Sequence, residues 1–223
     1  MTFPAGIAAK KISGKPLIVH VHATEFDRTG GNGINQNVYD IERAGMHAAD
    51  RIIAVSNFTK QKIIQHYGIP EDKIDVLHNG VDTEKNTIIN AQNFSIEKNE
   101  KIVLFLGRLT LQKGPDYFVE AAKKVLEYYP DVKFIIAGTG DMEPRIINRV
   151  AELGMGSKVL FAGFVSGEDT DRIYQMADLY VMPSISEPFG ITPLEALKND
   201  IPVIISKQSG VSEILKNCLK VDF

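Results

Sequence analysis

Glu187 and Glu195 bracket the segment Glu-Pro-Phe-Gly-Ile-Thr-Pro-Leu-Glu, in which a glycine and a proline stand where a helix would begin. Pro193 suits the first position of that helix and Thr192 its N-cap. The main-chain amides of Gly190, Ile191 and Thr192 would then face an anion at the helix N-terminus. Gly190, beside Phe189, would let a ligand approach the backbone closely. Glu195 also completes a capping box with Thr192, a role worth one hydrogen bond and no chemistry. Glu187 has no such partner in sequence. It is either a solvated loop charge or a group that binds hydroxyls.

A second set lies upstream, in Gly-Arg-Leu-Thr-Leu-Gln-Lys-Gly-Pro at 107–115. Arg108 brings a planar fork of donors and Lys113 a point charge, a pair suited to one diphosphate. Two solvated loop cations remain the other reading. A third set is His20 and His22, which alternation sends to the same face of a strand. No third residue has the spacing of a metal ligand, so no metal is expected. His20 reads as a structural histidine in the sheet. His22, last before the polar, glycine-rich stretch 29–33, is better placed for a ligand. Gly138-Thr-Gly140 is a lone GxG and reads as a tight turn, with at best a supporting role near a nucleotide. The P-loop and the GxSxG elbow are both absent from the sequence.

These residues need a frame that brings loops together, and the apolar pattern supplies one. Strand-sized apolar runs fall at 17–21, 51–55, 74–77, 102–106, 132–137, 158–161, 179–182 and 202–205. Such runs indicate strands buried on both faces. Helical patterns separate them; over 117–129 the face Phe118, Ala121, Ala122, Val125, Leu126 and Tyr129 reads as apolar. Strand and helix in alternation is the doubly wound α/β pattern. The rhythm breaks in a polar, Asn-rich stretch, which divides the chain into residues 1–85, a linker at 86–99 and a second domain at 100–223. Three strands are few for a sheet buried on both faces. At the other end, a helical pattern at 210–219 leads into what reads as a strand just beginning. Both domains are therefore expected to be incomplete and the parent protein longer.

Composition narrows the function classes. Among 223 residues 44% are hydrophobic and the net charge is −3, with no basic run to coat a phosphate backbone, so nucleic acid is not an expected partner. One cysteine, Cys218, excludes an intramolecular disulfide framework and reads as a small buried or semi-buried residue near a helix end. The opening residues lack a signal-peptide pattern, and the apolar runs are far short of a membrane span. A cytoplasmic protein is expected.

With Glu187 to Glu195 and the Gly-Arg…Lys-Gly loop both following strands, the sequence resembles the retaining glycosyltransferases of group 1, or family 4. That family includes glycogen synthases and sucrose-phosphate synthases. Ser56 and Asn79-Gly-Val-Asp82 are further matches, and the resemblance runs from about residue 15 to 223. It implies two Rossmann-like parallel-sheet domains facing a cleft, the GT-B type. It implies a nucleoside-diphosphate sugar donor, glucosyl by preference, and a saccharide or other hydroxyl acceptor. Arg108 and Lys113 would neutralise the diphosphate with no metal or other cofactor. Glu187 would hold sugar hydroxyls and Glu195 the ribose, while Phe189, Gly190, Ile191 and Thr192 would complete the donor site. His22 would lie beside the anomeric carbon. The family's glycine-rich loop over the donor phosphates and its C-terminal crossing helix have no counterpart in the sequence. A nucleotide-sugar-binding fragment without turnover and a sugar-nucleotide epimerase of the same fold are the alternatives.

Overall fold

The computed structural model describes residues 2–30, 33–82 and 100–222. The linker expected at 86–99 lies outside them, as do Gly31 and Asn32 of the polar stretch after His22. The described residues form two compact units. One takes in those up to Asn79 together with Ser186–Gly190 and Gln208–Leu215; the other takes in those from Gly80 to Ile185, Ile191–Lys207, and those from Lys216 on.

In the first unit β1 (Ile18–Val21), β2 (Arg51–Ala54) and β3 (Ile74–Val76) form a parallel sheet in that order. Its helices are α1 (Phe3–Ser13), α2 (Glu25–Arg28), α3 (Gln36–Ala48) and α4 (Asn57–Tyr67). Asn35 caps α3 by accepting from the amides of Asn37 and Val38, and Ser56 caps α4 by accepting from Thr59 N. Gly68 closes α4 in the left-handed region. Helix α1, which the sequence pattern did not announce, seats Phe3 against Gly45 of α3; a Cβ at Gly45 would overlap the Phe3 ring. Met46, Ile52, Ala54, Ile63 and Tyr67 make the core.

Burial on both faces fails for β1. It is an edge strand, and Ile18 is 61% exposed. His20 is exposed as well, so it is not a histidine packed within the sheet. Alternation itself holds: the His20 and His22 rings lie 4.1 Å apart on one face.

The second unit carries β4 (Lys101–Leu106), α5 (Pro115–Leu126), β5 (Val132–Ala137), α6 (Glu143–Glu152), β6 (Val159–Gly163) and α7 (Glu168–Met176). β7 (Leu179–Met182), α8 (Thr192–Lys198), β8 (Val203–Ser206) and β9 (Leu219–Val221) complete it. The sheet is parallel, in the order β6-β5-β4-β7-β8-β9. The chain runs outward from β4 through β5 and β6, then returns to the other side of β4 and runs outward again. The reversal makes a switch point between β4 and β7, where open α/β sheets bind ligands beyond the strands' carboxyl ends.

Phe105, Phe118, Phe134, Ile136 and Ile146 lie in this unit's core. The buried face of α5 is Pro115, Phe118, Val119 and Ala122, whereas Ala121, Val125 and Tyr129 are exposed. The helix ends at Leu126, and its true register on the sheet turns the Val119 stripe inward. The helix expected at 210–219 is one 3-10 turn, Gly210–Glu213. The chain must reach β9 by Leu219, which leaves no length for more turns. The strand expected to begin at the end is β9, and Cys218, half-buried, precedes it rather than ending a helix. No helix among the described residues is long and apolar enough to cross a membrane.

Candidate functional site

In the second unit three loops meet beyond the carboxyl ends of β5, β4 and β7. The loop after β4 carries exposed Arg108 and, on the 3-10 turn Leu111–Lys113, the half-buried Lys113. It closes at Gly114, whose φ of 64° and whose contact with Pro183 O leave no room for a Cβ. Gln112 O accepts from Ile185 N at 2.9 Å, tying this loop to the one after β7. On the other side Leu109 N donates to Thr139 O at 2.9 Å and Leu109 O accepts from Met142 N at 2.9 Å.

That pairing explains the Gly-Thr-Gly turn. A Cβ on Gly138 would overlap Gly107 O, and one on Gly140 would overlap Leu109 O. The two glycines are a brace for the Arg108–Lys113 loop, set by close backbone approach. No GxxG-type spacing signals this, because the neighbour they make room for lies some thirty positions earlier.

Helix α8 follows the β7 loop and corrects the expected cap. Its N-cap is Ile191, in the right-handed region and without a side-chain cap bond; Thr192 is the first helical residue and Pro193 the second. Thr192 Oγ1 instead accepts from the Tyr180 hydroxyl at 2.7 Å, and the same hydroxyl lies 3.2 Å from Leu106 O at the end of β4. Glu195 makes no capping box. Its Oε2 lies 3.0 Å from the hydroxyl of Tyr174, which also lies 3.1 Å from Thr192 O. Burial, then the neighbouring Tyr180 and the Glu195 carboxylate, push the Tyr174 phenol far up, so it stays a donor. Glu195 borders a cleft of about 460 Å³ with Asp82, Asp171, Ile191 and Lys198. Both tyrosines went unnoticed in the sequence, since nothing local sets them apart from core aromatics.

Glu187, Phe189 and Gly190 fall in the first unit. Glu187 is 6% exposed, which removes the solvated loop charge from consideration. Its main chain is bound on both sides: N donates to Gln208 O at 2.9 Å, and O accepts from Gly210 N at 3.0 Å. The Phe189 ring lies 5.9 Å from that of His78, and Phe189 O accepts from Val211 N at 2.6 Å. Gly190, at φ 90°, turns the chain toward α8. His22 is exposed at the end of β1, and with His20 it borders a groove of about 660 Å³. Although His20 is exposed, slight desolvation and then the nearby like charge of His22 lower its pKa from the ordinary histidine value. Thus His22 and Glu187 share one unit, while Arg108, Lys113, Ile191, Thr192 and Glu195 share the other.

Comparison with known proteins decides the family. The model for glycosyl transferases group 1 matches residues 86–219, and that for glycosyltransferase family 4 matches residues 1–85. The chain belongs to the group 1 glycosyltransferases. An uncharacterized glycosyltransferase of Methanocaldococcus jannaschii is 35% identical over 97% of this chain and 58% of its own length. A UDP-Gal:alpha-D-GlcNAc-diphosphoundecaprenol alpha-1,3-galactosyltransferase of Escherichia coli is 29% identical over 95% of this chain and 57% of its own. Among solved structures, Anabaena HepE in complex with UDP and glucose superposes with a TM-score of 0.83 at 22% identity, covering 99% of this chain and 61% of that one. Sucrose-phosphate synthase from Thermosynechococcus elongatus gives 0.82 at 21%, covering 99% and 59%. These likenesses establish the α/β, Rossmann-like GT-B fold. This glycosyltransferase chain spans a little under 60% of the curated relatives it matches over its whole length.

Proposed function

We propose that the chain belongs to a retaining glycosyltransferase that moves a hexosyl group, glucosyl by preference, from a nucleoside-diphosphate sugar to a saccharide or other hydroxyl acceptor. The observation that carries this reading is the braced loop at the β4/β7 switch point, which presents Arg108 and Lys113 where an α/β sheet receives a ligand. The solved neighbour in complex with UDP-glucose supports the choice of donor.

In this reading the chemistry follows charge. Cleaving the sugar–phosphate bond builds positive charge on the ring and negative charge on the departing diphosphate. Fixed cations beside that oxygen act where charge grows, and one such contact contributes about 3–4 kcal/mol. Arg108 and Lys113 neutralise the diphosphate without a metal, and the main-chain amides of Gly190, Ile191 and Thr192 assist at the phosphate or sugar. Glu187 and Phe189 line the sugar, Glu195 binds the ribose in its cleft, and His22 stands by the anomeric carbon. Retention follows from attack on the face the diphosphate leaves, with the leaving oxygen taking the acceptor's proton. Cytoplasmic residence belongs to the same reading and is checked by cell fractionation.

The test is thermal unfolding with UDP, ADP, GDP, UDP-glucose and ADP-glucose. A nucleotide at one hundred times its dissociation constant adds about 2.7 kcal/mol of stability. One nucleotide family is expected to raise the melting temperature, and Lys113→Ala to abolish the rise while leaving the unliganded melting temperature nearly unchanged. No rise with any of the five overturns the donor site. Binding with no transfer to any acceptor favours a nucleotide-sugar-binding role, and product formed without an acceptor favours an epimerase.

A further inference from the structure

Asp27 is fully buried in the first unit, five residues after His22, and is a charged group in need of partners. Its Oδ2 accepts from Thr24 N and Thr24 Oγ1, both at 2.8 Å, which closes the turn running from His22 into α2. Its Oδ1 accepts from the Lys62 ammonium at 2.5 Å and from Ser186 Oγ at 2.9 Å. Lys62 projects from α4 over the Phe58 ring, 4.4 Å from its centre, and its ammonium also bonds Ser186 Oγ. One turn back on α4, the Ser56 and Thr59 hydroxyls both reach Pro188 O. Gly210 fits beneath this contact only because it lacks a Cβ, which would overlap Pro188 O and Ser56.

Glu187 lies between Ser186 and Pro188. Its neighbours on both sides are therefore clamped by side chains of α4 and the His22 turn, while its own amide and carbonyl are held by Gln208 and Gly210. A carboxylate meant to grip sugar hydroxyls gains from a backbone that does not move.

We propose that Asp27, Lys62 and Ser186 form a positioning network that sets the segment carrying Glu187 against the turn carrying His22, so that both meet the transferred sugar in one fixed geometry. The proposal rests on Glu187 as the sugar-binding carboxylate. Asp27 is the common anchor, Lys62 supplies the opposite charge that pairs with it out of water, and Ser186 passes the constraint to Glu187. None of the three touches substrate.

Calorimetric titration of the chain with UDP and with UDP-glucose measures the factor by which the glucosyl group changes affinity. Glu187→Gln is expected to lower that factor by about tenfold, the scale of one charge-assisted hydrogen bond. Ser186→Ala is expected to lower it by about fivefold while leaving UDP affinity within about twofold. In the Glu187→Gln background Ser186→Ala should add nothing, because it acts only through Glu187. Asp27→Asn, which keeps the shape and loses the charge, should lower the same factor. If Glu187→Gln leaves the factor unchanged, the sugar-binding reading of Glu187 fails and takes the proposal with it. If Glu187→Gln lowers it but Ser186→Ala does not, or the two effects add, the reading of Glu187 stands and the positioning role is overturned. A change in melting temperature alone for Ser186→Ala and Asp27→Asn also overturns it.

Discussion

At the scale of single residues, burial and hydrogen-bond partners separate structural from functional readings that sequence left tied. Glu195 is the clearest case. A capping box would have exhausted its side chain, but α8 starts one residue earlier than a Thr192 cap requires, and Tyr174 rather than a backbone amide meets its Oε2. The carboxylate stays on a cleft with acceptor capacity to spare. Glu195→Gln is therefore expected to weaken nucleotide binding by about tenfold with a small change in melting temperature. An effect confined to melting temperature, by calorimetry on the same sample, returns the residue to a structural role. His20 and His22 offer a second check. Slight desolvation and then the like charge of His22 favour neutral His20, so the folded state binds that proton less well than the unfolded chain. The folded state therefore loses stability as pH falls through about 6.5. His22→Gln removes the second cause, and NMR titration should show His20 gaining its proton at higher pH than in the parent; an unchanged midpoint leaves burial as the whole cause.

Among the elements, α4 does more than cover a sheet. Ser56 and Thr59 hold Pro188, Lys62 holds Asp27 and Ser186, and the first turn is gripped by Glu213. Glu213 accepts from Asn57 N at 2.9 Å and Phe58 N at 2.7 Å, with His78 Nε2 at 3.1 Å. A carboxylate at a helix N-terminus satisfies amides the helix leaves open and meets the positive end of its dipole. Burial works to raise the Glu213 pKa, but the bonds from His78, Asn57 and Phe58 outweigh it and hold the carboxyl below its usual range. A depressed carboxylate stabilises the folded state above its unfolded pKa, and that contribution disappears as pH falls through the folded value. Glu213→Gln should thus lower the melting temperature fully at pH 7, and the gap from the parent should close below about pH 4. A gap independent of pH would assign the loss to packing.

For the molecule as a whole, the donor site is proposed to neutralise a diphosphate with side chains alone. EDTA should then leave the nucleotide-induced rise in melting temperature unchanged, and a loss reversed by adding back a divalent cation would bring a metal into the site. The architecture behind that site was largely legible in the residues. Apolar runs such as 102–106, 132–137 and 179–182 are strands because short, mostly apolar stretches rich in β-branched and aromatic residues have few other ways to bury themselves. Pro115 opens a helix because its ring suits the first turn and its missing N–H costs nothing there. The Arg108–Lys113 loop and the Glu187 segment could be named from sequence since each lies within a few residues of the strand that delivers it.

Other features depend on partners far along the chain, and no local pattern encodes them. Which face of α5 is buried was decided by what it packs against, not by its own periodicity alone. That Gly138 and Gly140 make room for the backbone at 107–109, and that Tyr180 joins the end of β4 to Thr192, are facts about neighbouring strands. Asp27, Lys62 and Ser186 are ordinary polar residues until folding removes water from them, and only then must one charge find the other. Sequence alone determined the alternation of strand and helix and the loops that carry charge, because those follow from nearest-neighbour propensity and period. Tertiary structure alone decided which of those charges are buried and what each is bound to, because desolvation is a property of the assembled core and not of any segment.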